Sequence, residues 1–296
     1  MIISRRGFID SYFNADKTLF VGSAGLSTTV LDTNTDKKKG RIPFPSNGCF
    51  LKDTPLAILT KPKGKFCQID LEKGKELREW KLPEGSDISD TQVYYYDENT
   101  AYFVIERKNK KEGTSVWQFL EYKLEEEAHH IIATYELPAL LLGIWNGRLL
   151  ICNEEMDGKG KIYTYAEAFK DGRLEKKISF GDVAGIHLID GKLYTAKNHV
   201  DQIQIYAYDE GLIRKNVFSI SSKDPLCFGD FSVNEKYVAI PFFKGGAKPI
   251  RVYNLRTKEV VLEEKVKHFV KVELLGDKLY VCAMDKLSVY PLPSKK

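Results

Sequence analysis

Short apolar runs recur along this chain at nearly even intervals, separated by polar, turn-forming residues. The clearest instance is Gly276–Pro293, GDKLYVCAMDKLSVYPLP, where a Gly-Asp-Lys turn leads into an apolar run, a polar break and a second, alternating run. Runs of the same kind begin at Leu19, Leu56, Ala101, Leu149, Leu193, Tyr237 and Leu279, with spacings of 37, 45, 48, 44, 44 and 42 residues. Their shortness, their Val, Ile, Tyr and Phe content and the Asn, Asp and Gly that bound them predict strands rather than helices.

Each repeat divides into four predicted strands, a to d. Strand a leads through a tight turn into the anchor run, strand b. Those turns include Asn146-Gly147-Arg148, Asp190-Gly191-Lys192 and Asn234-Glu235-Lys236, residue types that tolerate left-handed backbone or bond their own main chain. Strand c alternates, as in Ile203-Gln204-Ile205-Tyr206 and Ile250-Arg251-Val252-Tyr253. Strand d carries more charge, as in Leu77–Leu82 and Val260–Val266, which suits an outermost, solvent-facing edge. In the first repeat strand d is expected at Arg41–Phe44. Four strands in about 40–45 residues is the period of a propeller blade. The expectation is therefore an all-β chain, a seven-bladed β-propeller of four-stranded blades, forming a single domain over residues 1–296. Six d strands follow seven c strands, so residues 2–6 (Ile2–Arg6) are expected to pair with the last blade, residues 269–293, and close the ring.

Composition adds little to fold and something to function. Hydrophobic residues make up 43% of the chain, enough for a large core. The net charge of +4 on 45 basic and 41 acidic residues is too slight to point to a nucleic-acid partner. Neither a signal-peptide run nor the ~18 apolar residues of a membrane helix occurs, so no membrane partner is expected. Five cysteines without CxxC spacing lie in or beside apolar runs and read as buried, reduced thiols. Together these give a cytoplasmic protein as the expected setting.

The unit Tyr237–Val266, YVAIPFFKGGAKPIRVYNLRTKEVVLEEKV, carries a strand pair ending in an aromatic-Asn step, a Thr-Lys turn and a Val-rich outer strand. In this it resembles the repeats of WD40-like and YVTN-type β-propellers, and the resemblance extends over nearly the whole chain. No Trp-Asp or Gly-His pair occurs, and the single Gly-Gly pair, Gly245-Gly246, is not repeated. The resemblance implies a fold and carries no catalytic residue with it.

In such folds the loops joining strands b and c lie on the face that usually binds ligands. The expected b–c loops, the longest being Glu106–Ser115, hold 12 basic and seven acidic residues, an excess larger than that of the chain. The candidate partner-binding residues are Lys61, Lys63, Arg107, Lys108, Lys110, Lys111 and Lys244, with His199 and His268 on the same face. The leading expectation is a non-enzymatic scaffold that binds a protein partner there; an anionic ligand fits the same charge. The alternative is a propeller hydrolase or lyase built on His199, His268, Asp182 and Asp230, residues whose convergence the sequence does not reveal. Cofactors and metals are not expected: Gly22–Gly25 leads to a strand rather than a helix, and no zinc-ligand spacing occurs. His129 and His130 are expected to diverge into solvent, His187 to pack within strand a, and Phe242-Phe243 to pack between blades.

Overall fold

The computed structural model describes residues 11–293 apart from 15, 25–26, 45, 47, 52–53, 110–112, 161, 228–229, 244–246, 268–269 and 284–285. The first sheet contains β1 (Ser11–Phe13), β2 (Leu19–Ala24), β3 (Ser27–Asp32) and β4 (Lys37–Ile42). The second has β5 (Gly48–Phe50), β6 (Leu56–Lys61), β7 (Lys65–Asp70) and β8 (Lys75–Lys81), and the third β9 (Ser86–Asp97), β10 (Thr100–Asn109), β11 (Thr114–Lys123) and β12 (Ala128–Tyr135). The fourth has β13 (Ala139–Trp145), β14 (Arg148–Met156), β15 (Ile162–Lys170) and β16 (Arg173–Gly181). The fifth has β17 (Gly185–Ile189), β18 (Lys192–His199), β19 (Gln202–Tyr208) and β20 (Arg214–Ser221). The sixth has β21 (Ser232–Val233), β22 (Tyr237–Pro241), β23 (Ala247–Asn254) and β24 (Val260–Lys267). β25 (Val270–Leu275), β26 (Lys278–Ala283) and β27 (Leu287–Pro291) complete the described part of the seventh.

Every sheet is an antiparallel meander in which each strand pairs with its neighbours in sequence, and the fold is a seven-bladed β-propeller. The expected pairing of residues 2–6 with the last blade lies outside the described residues. Among the described residues no helix is long and apolar enough to cross a membrane.

The hairpins form where the turn chemistry directs them. Asn146 and Gly147 have φ of 49° and 73°, and Asp190 and Gly191 have 49° and 71°. Two successive left-handed residues make the turn that matches strand twist, which a β-branched residue would resist. The ends of strand c close in a second recurring way. Asp32 accepts hydrogen bonds from the amides of Asn34 and Thr35, Asp70 from Glu72 and Lys73, and Asn254 from Arg256 and Thr257. The aromatic-Asn step of the sixth blade is thus the cap of its own c–d turn.

Two compact units are distinguishable, with their boundary inside β13. In the unit holding the first three sheets, Ala57, Leu59 and Cys67 pack with Val21, Val30 and Ile42, while Ile58 and Phe66 pack with Phe103, Leu120 and Tyr122. Neighbouring residues of β6 therefore serve two different cores, one on each side of the sheet. The unit holding the last sheets repeats this arrangement. Val238 and Ile240 pack with Ile205, Phe218 and Phe231, whereas Tyr237 and Ala239 pack with Val272 and Val281. Burying each such Leu, Ile or Phe contributes roughly 1.5–3 kcal/mol. A middle strand buried on both faces reads as a continuous apolar run, which is why strand b marks the repeat in the sequence.

Several strand boundaries differ from expectation, as where β14 and β18 run on into the expected loops Asn153–Gly160 and Ala196–Asp201. The outer strand of the first blade begins at Lys37 rather than Arg41, because outward lysine stems are tolerated on an edge. The expected loop Glu106–Ser115 is mostly strand: Glu106, Arg107 and Lys108 pair with Trp117, Val116 and Ser115. Val116 and Trp117 supply the β-forming partners, so the opposite charged run is drawn into the ladder.

Candidate functional site

The candidate cations occupy distinct settings. Lys61 ends β6 and sends its ammonium to both oxygens of Glu76, at 2.9 and 3.0 Å, and to Glu79. Lys65 reaches the other oxygen of Glu79 at 2.5 Å. These contacts draw the Glu79 carboxyl down to about 2, the Lys61 hydrogen bond first and that of Lys65 second. Burial disfavours the Lys61 charge, but the hydrogen bonds to Glu79 and Glu76 outweigh it and its pKa is raised. Lys61 thus belongs to a four-residue ion cluster, and its charge is largely compensated locally. Lys63 sits exposed in the β6–β7 turn at a φ of 67°.

Arg107 donates from Nη2 to the Glu84 carbonyl at 2.8 Å and from Nη1 to Gln118 Oε1 at 3.4 Å. Lys108 lies 3.5 Å from the buried carboxylate of Glu106. Lys110, Lys111, Lys244 and His268 lie outside the described residues.

His199 closes β18, exposed, with its Nε2 3.1 Å from Gln204 Oε1. It borders the best-built feature on this end of the blades. The Ser222 amide donates to the Asp201 carbonyl at 3.0 Å, and the Leu226 amide to Asn198 Oδ1 at 3.2 Å. The Phe243 amide donates to the Pro225 carbonyl at 2.9 Å, and the Cys227 amide to the Pro241 carbonyl at 2.8 Å. The link from the fifth to the sixth blade is thereby fastened to the b–c loops of both. Phe242 is fully buried, as expected for blade packing, and the Arg251 guanidinium lies 5.0 Å from its ring centre. Phe243 departs from that expectation and is 49% exposed, and Val200 is 93% exposed. The result is a ledge of three tied loops that presents two apolar side chains and His199 to solvent.

The acid–base candidates among the described residues occupy separate settings. Asp182 is exposed in the link before β17. Asp230 is buried; its Oδ2 accepts the Val272 amide at 2.9 Å and its Oδ1 lies 3.9 Å from His187 Nε2. The His187 ring meets Phe231 edge-on at 4.6 Å, in keeping with its expected packing role. Ser232 Oγ similarly accepts the Leu274 amide at 3.0 Å. These contacts bind the inner strand of the sixth blade to that of the seventh, and no sequence motif announces them. His129 stacks on Tyr122 and His130 faces Glu121, so the adjacent pair does diverge. Among the described residues no group of three or more His, Cys, Asp or Glu is placed to hold a metal ion.

No family model and no curated protein matches the chain. Among solved structures, the β-propeller domain of Cps50 (Swd1) from Myceliophteria thermophila superposes with a TM-score of 0.64 at 10% identity, covering 98% of both chains. KlAtg21, solved with the coiled-coil of AgAtg16, gives 0.59 at 12% identity over 98% of this chain and 96% of that one. Hydrazine synthase from Kuenenia stuttgartiensis gives 0.62 at 11% identity over 98% and 97%. Identities this low carry fold alone, and the three include both a propeller solved with a coiled-coil partner and a hydrazine synthase. On the seven meandering sheets and this likeness in fold, the chain is a seven-bladed β-propeller.

Proposed function

We propose that this propeller is a non-catalytic binding protein that seats a protein partner on the b–c ends of its blades, with the ledge of the fifth and sixth blades as the anchor. The observation that carries this reading is the exposure of Val200 and Phe243 on loops that four hydrogen bonds hold in place. Rigid, exposed apolar side chains lose little entropy on association and act as anchors around which a polar rim excludes water. His199, beside Val200, supplies polar rim. KlAtg21, a structural neighbour, was solved with a coiled-coil partner, which is in keeping with a propeller as a docking platform.

The test is quantitative co-purification from cells that express the chain, comparing wild type with the double variant Val200→Asp/Phe243→Asp. An interface anchor carries about 2 kcal/mol or more, so at least a tenfold loss of partner recovery is expected. Val200 is almost wholly exposed and Phe243 half exposed, so Tm is expected to stay within about 2 °C of wild type. An unchanged partner set and yield would reject the ledge.

A further inference from the structure

β18 and β19 run from the ledge to the opposite end of the fifth blade. Seven steps at about 3.3 Å separate His199 from Lys192, so the two ends stand about 23 Å apart. At the Lys192 end lies a groove of about 620 Å³ between the fourth and fifth blades. Trp145 and Tyr208 line it, Ile213 stands on its lip at 70% exposure, and Lys192, Arg214 and Lys215 complete its walls.

The groove is preformed. The turns that bring Asn146 and Gly191 to it are the rigid left-handed pairs described above. Phe180 meets Tyr208 edge-on at 5.2 Å, and the Tyr208 hydroxyl lies 3.3 Å from Thr195 Oγ1, so this ring is fixed from behind. The guanidinium of Arg214 lies 4.4 Å from the Tyr206 ring centre.

Charge indicates what would fill it. Arg148, Lys177, Lys236 and Arg251 of the same unit each meet a carboxylate. Among the described residues Lys192, Arg214 and Lys215 meet none. The two acids at the groove, Asp209, whose Oδ1 accepts the Ile213 amide at 2.8 Å, and Glu210, stand against three cations, so the groove keeps a positive excess. β20, which begins at Arg214, is also the outermost strand of its sheet, with its outward backbone groups facing no further described strand.

We propose that this groove binds an extended acidic segment of a protein partner. One apolar side chain of that segment rests on Trp145, Tyr208 and Ile213, and flanking carboxylates meet Arg214, Lys215 and Lys192. The outer edge of β20 offers main-chain hydrogen bonds to the same segment. This surface is distinct from the ledge and does not depend on it.

The probe is an array of fluorescein-labelled nine-residue peptides, each with Leu, Phe or Trp at the centre and four Asp or Glu around it. Their anisotropy is read against the full chain. Members of the array are expected to bind, and Arg214→Glu/Lys215→Glu is expected to weaken them at least tenfold. Replacing the acids by Gln, or the central residue by Ser, is expected to weaken binding by a similar factor. Ile213→Asp tests the apolar lip with a single exposed substitution and is expected to act in the same direction, with Tm unchanged. Val200→Asp/Phe243→Asp is expected to leave the peptides bound. The proposal is overturned if no member binds, if the charge reversal has no effect, or if the Ser-centred peptides bind as well as their parents.

Discussion

Lys61 shows how a single side chain is read differently once its neighbours are known. In the sequence it is one of several lysines in a basic loop; in the fold its ammonium meets Glu76 and Glu79, which belong to a strand 15 and 18 residues further on. The charges that compensate it are in plain view, but their proximity depends on the register of β7 against β8. Glu79 carries the measurable consequence. Its carboxyl is held at about 2, below the ordinary 4.5, by Lys61 and then Lys65. A depressed carboxylate stabilises the fold above its unfolded value and loses that contribution as pH falls through the folded one. Glu79→Gln is therefore expected to flatten the fall of Tm between pH 4.5 and 2 relative to wild type, with the two proteins differing most at the upper end. Parallel Tm–pH curves would show that the cluster contributes nothing, as exposed pairs often do. The Asp32, Asp70 and Asn254 caps, by contrast, are local events, an Asx residue bonding amides two and three residues on, and need no tertiary contact.

Strands are where periodicity succeeds and where charge misleads. The anchor runs stand out because strand b is buried on both faces, and the turns because Asn-Gly and Asp-Gly force one hairpin geometry. In the sequence Glu106–Lys108 reads as loop because three charges in a row look solvated; Val116 and Trp117 across the ladder make it strand. Contacts between inner strands left no trace at all. Asp230 and Ser232 reach the Val272 and Leu274 amides 42 residues away, a separation that only the stacking of one blade on the next can close. Asp230→Ala leaves the Val272 amide without this acceptor. The cost is expected to be about 1–3 kcal/mol, read as a drop of several degrees in Tm, while Asp230→Asn keeps an oxygen acceptor and recovers most of it. A Tm for Asp230→Ala within a degree of wild type would remove the clasp from the account of stability.

Seven repeats of one unit make the fold tolerant of sequence and demanding of completeness. Each sheet buries its faces against its neighbours, so stability is shared along the series of blades. β27 is the outermost described strand of its sheet, and residues 2–6 are expected on sequence grounds to lie beside it. If they do, deletion of Met1–Gly7 opens a seam and lowers Tm by well over 2 °C; a truncated chain melting within a degree or two of the full chain would exclude that closure. Fold class, blade number and most strand positions were written in the sequence, because strand period, turn chemistry and repeat length are local quantities that each blade states again. The ledge at Val200 and Phe243, the groove at Trp145, the ion cluster of Lys61 and the Asp230 clasp were not. Each depends on which side chains meet across 15 to 70 residues of chain, and burial and charge pairing are settled only when the blades stack.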